Sequence, residues 1–139
     1  MTSEELRIRT QALALRIIKL VGSLPGGSAP SVIGRQLLRS GTSVGANYRA
    51  ACRARSRADF AAKLAIVEEE ADETLYWLEL LAKSGLVRTE RLSHLMNETD
   101  ELVAIVTASR KTTQIRERSQ GLKINNPKSQ INNQDNNGT

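Results

Sequence analysis

The chain has 139 residues, enough for one domain around a single core, and 20 Lys and Arg against 15 Asp and Glu give it a net charge of +5. That excess favours polyanionic partners, nucleic acid first. A single cysteine, Cys52, excludes an internal disulfide, and with only one histidine beside it a Cys/His metal cluster is not expected.

Residues 1–22 carry charges throughout, unlike a signal peptide, and no apolar run has membrane-spanning length. The expected location is the cytoplasm, with no membrane contact. Thr2 to Val21 is predicted as the first helix. Thr2 and Glu5 have capping-box spacing, and Leu6, Leu13, Ile17, Leu20 and Leu24 keep to one face. "SLPGGSAP" then reads as a loop, and Pro30 suits the first turn of the next helix.

The second helix is expected from about Pro30. Ile33, Leu37, Val44, Tyr48 and Ala51 keep helical spacing straight through "GTSVGAN", a stretch that looks like a loop by composition. Gly41 and Gly45 each cost about 1 kcal/mol against Ala inside a helix. That cost is tolerable where small residues let a second helix come close. A P-loop is not supported, because no Lys-Ser or Lys-Thr ending follows and no strand precedes.

Ser56 and Asp59 mark the start of a third helix. Phe60, Leu64, Val67, Ala71, Thr74, Leu78 and Leu81 form a heptad seam, and Gly85 is the expected left-handed stop. A fourth helix is expected from Thr89 to about Arg116, with Leu92, Leu95, Met96, Leu102, Val103 and Val106 inward. From Ser119 the chain turns Asn/Gln-rich and poor in apolar residues, so 119–139 is expected to be a disordered tail. Residues 1–118 are then an all-α, antiparallel up-down-up-down four-helix bundle.

On the second helix Arg35, Arg39, Thr42, Ala46, Arg49 and Arg53 form one stripe, and Arg55, Arg57 and Lys63 extend the charge past the turn. Guanidinium forks suit phosphate oxygens, so Arg49, Arg53, Arg55, Arg57 and Lys63 are the candidate nucleic-acid contacts. Helix three carries Glu68, Glu69, Glu70, Asp72, Glu73 and Glu79. A hairpin turning near Ser56 puts Arg39 level with Glu73. Arg35 and Arg39 are therefore candidates for interhelix or subunit contacts with Glu73. Asn47, beside the apolar face, needs a partner from Ser43, Glu70 or Glu73. Tyr76 and Trp77 are candidates for a subunit contact. No catalytic or metal-binding constellation is found: the carboxylates crowd one helix, Glu-x-x-His is absent around His94, and no histidine neighbours Cys52. No cofactor is expected.

"LLRSGTSVGANYRAACRARSRADFAAKLAIVEEEADETLYWLELL", Leu37 to Leu81, resembles the bacterial four-helix-bundle family of 23S ribosomal RNA intervening-sequence proteins. The likeness runs from helix one to about Lys111 and excludes the tail. It is strongest in Ser43 to Asn47, the basic segment after it, and Glu73 to Leu78. The resemblance implies a small cytoplasmic bundle whose relatives assemble as ring-like homopentamers. A related branch serves diversity-generating retroelements as an accessory protein that binds nucleic acid and a reverse transcriptase. Many relatives carry an acidic residue shortly after the Asn; here that place holds Ala50, followed by more arginine.

Two readings follow. The first is a non-enzymatic oligomeric bundle binding structured RNA through its arginines. The second is a structural or protein-interaction module whose arginine stripe makes subunit contacts.

Overall fold

The computed structural model describes the backbone of residues 1–136 and the side chains of residues 1–121. Four helices follow one another: α1 (Ser3–Gly22), α2 (Ser28–Cys52), α3 (Arg57–Lys83) and α4 (Thr89–Asn136), with no strand among the described residues. Each helix packs on its neighbour in sequence, α4 returns to touch α1, and among the described residues the backbones of the diagonal pairs stay apart. Connections at 23–27, 53–56 and 84–88 are too short for anything but antiparallel neighbours. The expected up-down bundle is the observed one.

The helix ends follow local chemistry. The Thr2 hydroxyl accepts the Glu5 N–H at 3.1 Å, and the Glu5 carboxylate accepts the Thr2 N–H at 3.1 Å, a complete capping box. Ser56 accepts the Asp59 N–H at 3.0 Å and starts α3. Pro30 lies in the first turn of α2, where its missing N–H leaves no intrahelical bond unmade. Gly85, at φ +77°, takes the left-handed conformation that ends α3.

The core is aliphatic and drawn from all four helices. Leu13, Ile17, Leu37, Val44, Leu64, Val67, Leu78, Leu81, Leu92, Leu102 and Val106 are essentially inaccessible. Buried hydroxyls are satisfied within their own helices: Thr10 donates to the Arg7 carbonyl, Thr74 to Glu70 and Thr99 to Leu95. Ile33, Leu24, Phe60, Met96 and Val103 line the edge of the core rather than its centre.

α1 and α2 meet over the glycines. A Cβ on Gly41 would lie 2.4 Å from Ile17 Cδ1, and one on Gly45 would lie 3.3 Å from the Thr10 carbonyl oxygen. Gly41 and Gly45 therefore sit inside a continuous helix because α1 occupies the space of a side chain. By contrast α1 meets α4 lightly, and long polar side chains bridge the seam. Arg9 pairs with Glu98 and, at 3.2 Å, with Glu101; Arg91 donates to the Ser23 hydroxyl at 2.6 Å.

α4 continues past Arg116, where the apolar pattern stops. Gln114, Arg116, Glu117 and Arg118 are good helix formers, and Arg110 bonds Gln114 one turn on, so the helix needs no buried face there. The tail expected from Ser119 lies, after Gly121, outside the described side chains.

Candidate nucleic-acid interface

The antiparallel order brings the start of α1, the end of α2 and the start of α3 to one end of the bundle. That end gathers Arg7 from α1, Arg49 and Arg53 from the end of α2, Arg55 from the turn and Arg57 from the start of α3. All five are exposed, and none has a carboxylate within ion-pair distance among the described residues. Lys63 differs, because it donates to Asp59 one turn earlier at 2.7 Å. Its charge is partly neutralised before any ligand arrives.

Two hollows open between these side chains. A groove of 460 Å³ runs between α1 and α2; Arg7, Arg49 and Arg53 line it together with Glu4, Ile8, Gln11, Ala14, Thr42, Gly45 and Ala46. A second hollow of 400 Å³ lies at the α2–α3 turn, with Arg55 and Arg57 beside Phe60, Ser3 and Cys52. Below the arginines Tyr48 is buried, and burial first, then the neighbouring Cys52, pushes its phenol up to about 12. Tyr48 thus stays neutral at ordinary pH and does not offset the positive charge above it.

Further along the stripe, Arg39 is engaged inside the chain. Arg39 pairs with Glu73 and, at 3.1 Å, with Glu70 on α3. The hydrogen bond donated to Glu73, then that to Glu70, raises the guanidinium above its ordinary value. Arg35 is exposed without such a partner and borders a hollow beside the α1–α2 loop. Asn47 is half-buried, and its amide donates to the Ser43 carbonyl at 2.9 Å, within its own helix. Its hydrogen bond reaches neither Glu70 nor Glu73, because a carbonyl one turn back satisfies it without crossing the bundle.

Tyr76 and Trp77 part company. Tyr76 is 52% exposed, whereas Trp77 packs against the core edge, with ring centroids 5.1 Å apart in an edge-on arrangement. The Trp77 indole N–H is buried and has no acceptor among the described residues.

Sequence reasoning missed several residues here. Arg7 joins the basic end because α1 runs back along α2; the short 23–27 loop, counted back from Gly34 and Gly41, would have placed it level with Arg49. Arg110 pairs with Glu68, and that hydrogen bond holds the Glu68 carboxyl below the usual carboxylate range. Exposed Ile8, Leu15 and Ile18 form an apolar strip on the outer side of α1, and Ile66 and Tyr76 lie on α3. Their helical spacing was visible, but the inward face drew attention instead. Among the described residues no group of three His, Cys, Asp or Glu could hold a metal ion, and no helix is long and apolar enough to cross a membrane.

The fold has known counterparts. Residues 4–108 match the model of a family described as 23S rRNA-intervening sequence protein. A crystal structure at 1.70 Å of a protein of unknown function from the S23 ribosomal protein family of Bacteroides thetaiotaomicron is 38% identical to this chain. It aligns with a TM-score of 0.74 over 80% of this chain and 99% of its own. No curated protein matches. With the match running through α1, α2 and α3 into the first part of α4, the chain belongs to the family of 23S rRNA-intervening sequence proteins.

Proposed function

We propose that this protein is a non-enzymatic bundle that binds structured RNA by its phosphates, through Arg49, Arg53, Arg55 and Arg57 with Arg7 beside them. One observation carries the reading: these arginines converge at one end of the bundle and lack carboxylate partners among the described residues, while Arg9, Arg39 and Arg110 are paired. A guanidinium cluster with no internal partner gains affinity for phosphate by releasing counterions. Lys63 contributes less, since Asp59 competes for it. The few aromatics sit in or near the core, apart from Tyr76, so the surface is suited to backbone contact rather than to reading bases by aromatic stacking. Filter binding of an RNA hairpin across a salt series tests this. The wild-type affinity should fall steeply with salt, and replacing the four α2–α3 arginines by Gln should flatten that slope. Equal affinity and slope in both proteins would remove the assignment.

A second reading, self-assembly, has its own observation. Apolar residues are exposed on α1 (Ile8, Leu15, Ile18) and on the diagonally placed α3 (Ile66, Tyr76), where Glu69 and Asp72 are also exposed. Two different faces of this kind fit a head-to-tail homo-oligomer, ring-like when it closes. Light scattering on Leu15→Glu tests it: a fall in mass supports assembly through α1, and an unchanged mass counts against it.

A further inference from the structure

The arginine stripe on α2 is interrupted. Between Arg39 and Arg49 the same face carries Thr42 and Ala46. Those two residues, with Gly45 and Ala14, line the 460 Å³ groove between α1 and α2. A long side chain at either position would fill it. The groove exists because α1 approaches Gly45 closely and its neighbours are small.

Its chemistry is divided. Ile8, Ala14 and Ala46 are apolar, Gln11 and Thr42 bring an amide and a hydroxyl, and Arg7, Arg49 and Arg53 bring three cations with Glu4 as the one carboxylate. The Thr42 hydroxyl donates to the Leu38 carbonyl at 2.7 Å, which leaves its oxygen free to accept. A flat heterocycle with a phosphate attached meets all of these requirements, with the ring on the aliphatic surface and the phosphate among the arginines. An acidic peptide would supply the charge but no flat body for so shallow a groove.

We infer that this groove receives one unpaired nucleotide of a structured RNA, splayed out of a bulge or loop beside a paired segment. This rests on the RNA-binding reading above. There, phosphate contacts hold paired RNA without regard to sequence; here, one base is admitted on aliphatic rather than aromatic surface. Unstacked bases of bulges and loops are the parts of folded RNA that a protein groove reaches.

The test compares three labelled hairpins that differ at one position: fully paired, with one bulged adenosine, and with an abasic bulge. The wild-type protein should bind the adenosine bulge at least fivefold more tightly than either control. Ala46→Phe, at an exposed position, fills the groove and should bind all three at the level of the paired hairpin. Circular dichroism checks that its fold is kept. Ile8→Ala, which removes one exposed wall, should weaken the same preference and guards against a folding defect in the first variant. Equal wild-type affinity for all three hairpins overturns the inference, as does a preference that survives Ala46→Phe or extends to the abasic bulge. AMP binding in the groove with no preference among the hairpins assigns it to a free nucleotide and overturns the RNA reading of the groove. If only the preference is missing, the phosphate-binding reading stands; if no hairpin is bound at all, that reading fails first.

Discussion

The two halves of the arginine stripe on α2 carry the same residue type at the same spacing and meet different surroundings. Arg39 faces the acidic middle of α3 and is tied to Glu70 and Glu73. Arg49 and Arg53, further down the same face, come level with the start of α3, where Asp59 already holds Lys63. Arg39 is used in holding helices together; Arg49 and Arg53 are left with open hydrogen-bond donors. A run of arginines in sequence is therefore not one feature. Its meaning changes within four turns according to what the neighbouring helix presents.

That contrast can be broken at four points. The largest effect is expected at the free half: replacing Arg49, Arg53, Arg55 and Arg57 by Gln should lower hairpin affinity about 100-fold or more near 0.1 M salt. The slope of log K against log salt should shrink by roughly 0.9 per lost phosphate contact. Thermal stability should hardly move, because exposed unpaired residues contribute little. Loss of the fold without loss of affinity would reverse the roles given to the two halves.

Next comes the glycine seam that sets both halves in register. Gly41→Val places carbon where Ile17 already lies and should destabilise the bundle by about 1–3 kcal/mol in chemical denaturation. A neutral result would mean that α1 moves aside easily. Gly41→Ala should cost less, since the gain in helix propensity offsets part of the clash.

A smaller effect belongs to Glu68 and Arg110, which do for α3 and α4 what Arg39 does for α2 and α3. The folded Glu68 carboxyl sits below the ordinary value of 4.5, so the bond stabilises the fold above that pH. The contribution is lost as pH falls through the folded value. Glu68→Gln should therefore be less stable at pH 7, by under about 1 kcal/mol, and the gap should close in acid. A gap that is constant with pH would show that Gln replaces the carboxylate without loss.

The smallest change is predicted at the engaged half itself. Arg39→Gln should lower the melting temperature slightly and leave hairpin affinity and its salt slope unchanged, the opposite pattern to the arginines below it. A clear loss of RNA affinity would place Arg39 with the free half instead.

Much of the fold was legible because it rests on local rules. The Thr2–Glu5 capping box, the Ser56 cap, the Gly85 stop and the heptad seam of α3 need only nearby residues and a period of 3.6. Gly41 and Gly45 could also be assigned to a close contact, since nothing else justifies this pair in the middle of a long helix. The site was legible only in part. Lys63 continues the basic run of the arginines, but Asp59 stands one turn before it; for Asn47 the sequence offers Ser43 beside Glu70 and Glu73, and the structure selects Ser43, in its own helix. For Asn47 the local partner won over the distant ones, because reaching it fixes fewer degrees of freedom.

The sequence by itself determined the helices, their order and the inward face of each, because periodicity and capping are properties of consecutive residues. Which arginines are free, and that Arg7 joins them across a groove floored by Thr42, Gly45 and Ala46, was decided only by the tertiary structure. Pairing is a matter of distance between helices, and along the α1–α2 seam, where Arg7 comes beside Arg49, that distance was set by glycines meeting Ile17 and Thr10 rather than by any charge.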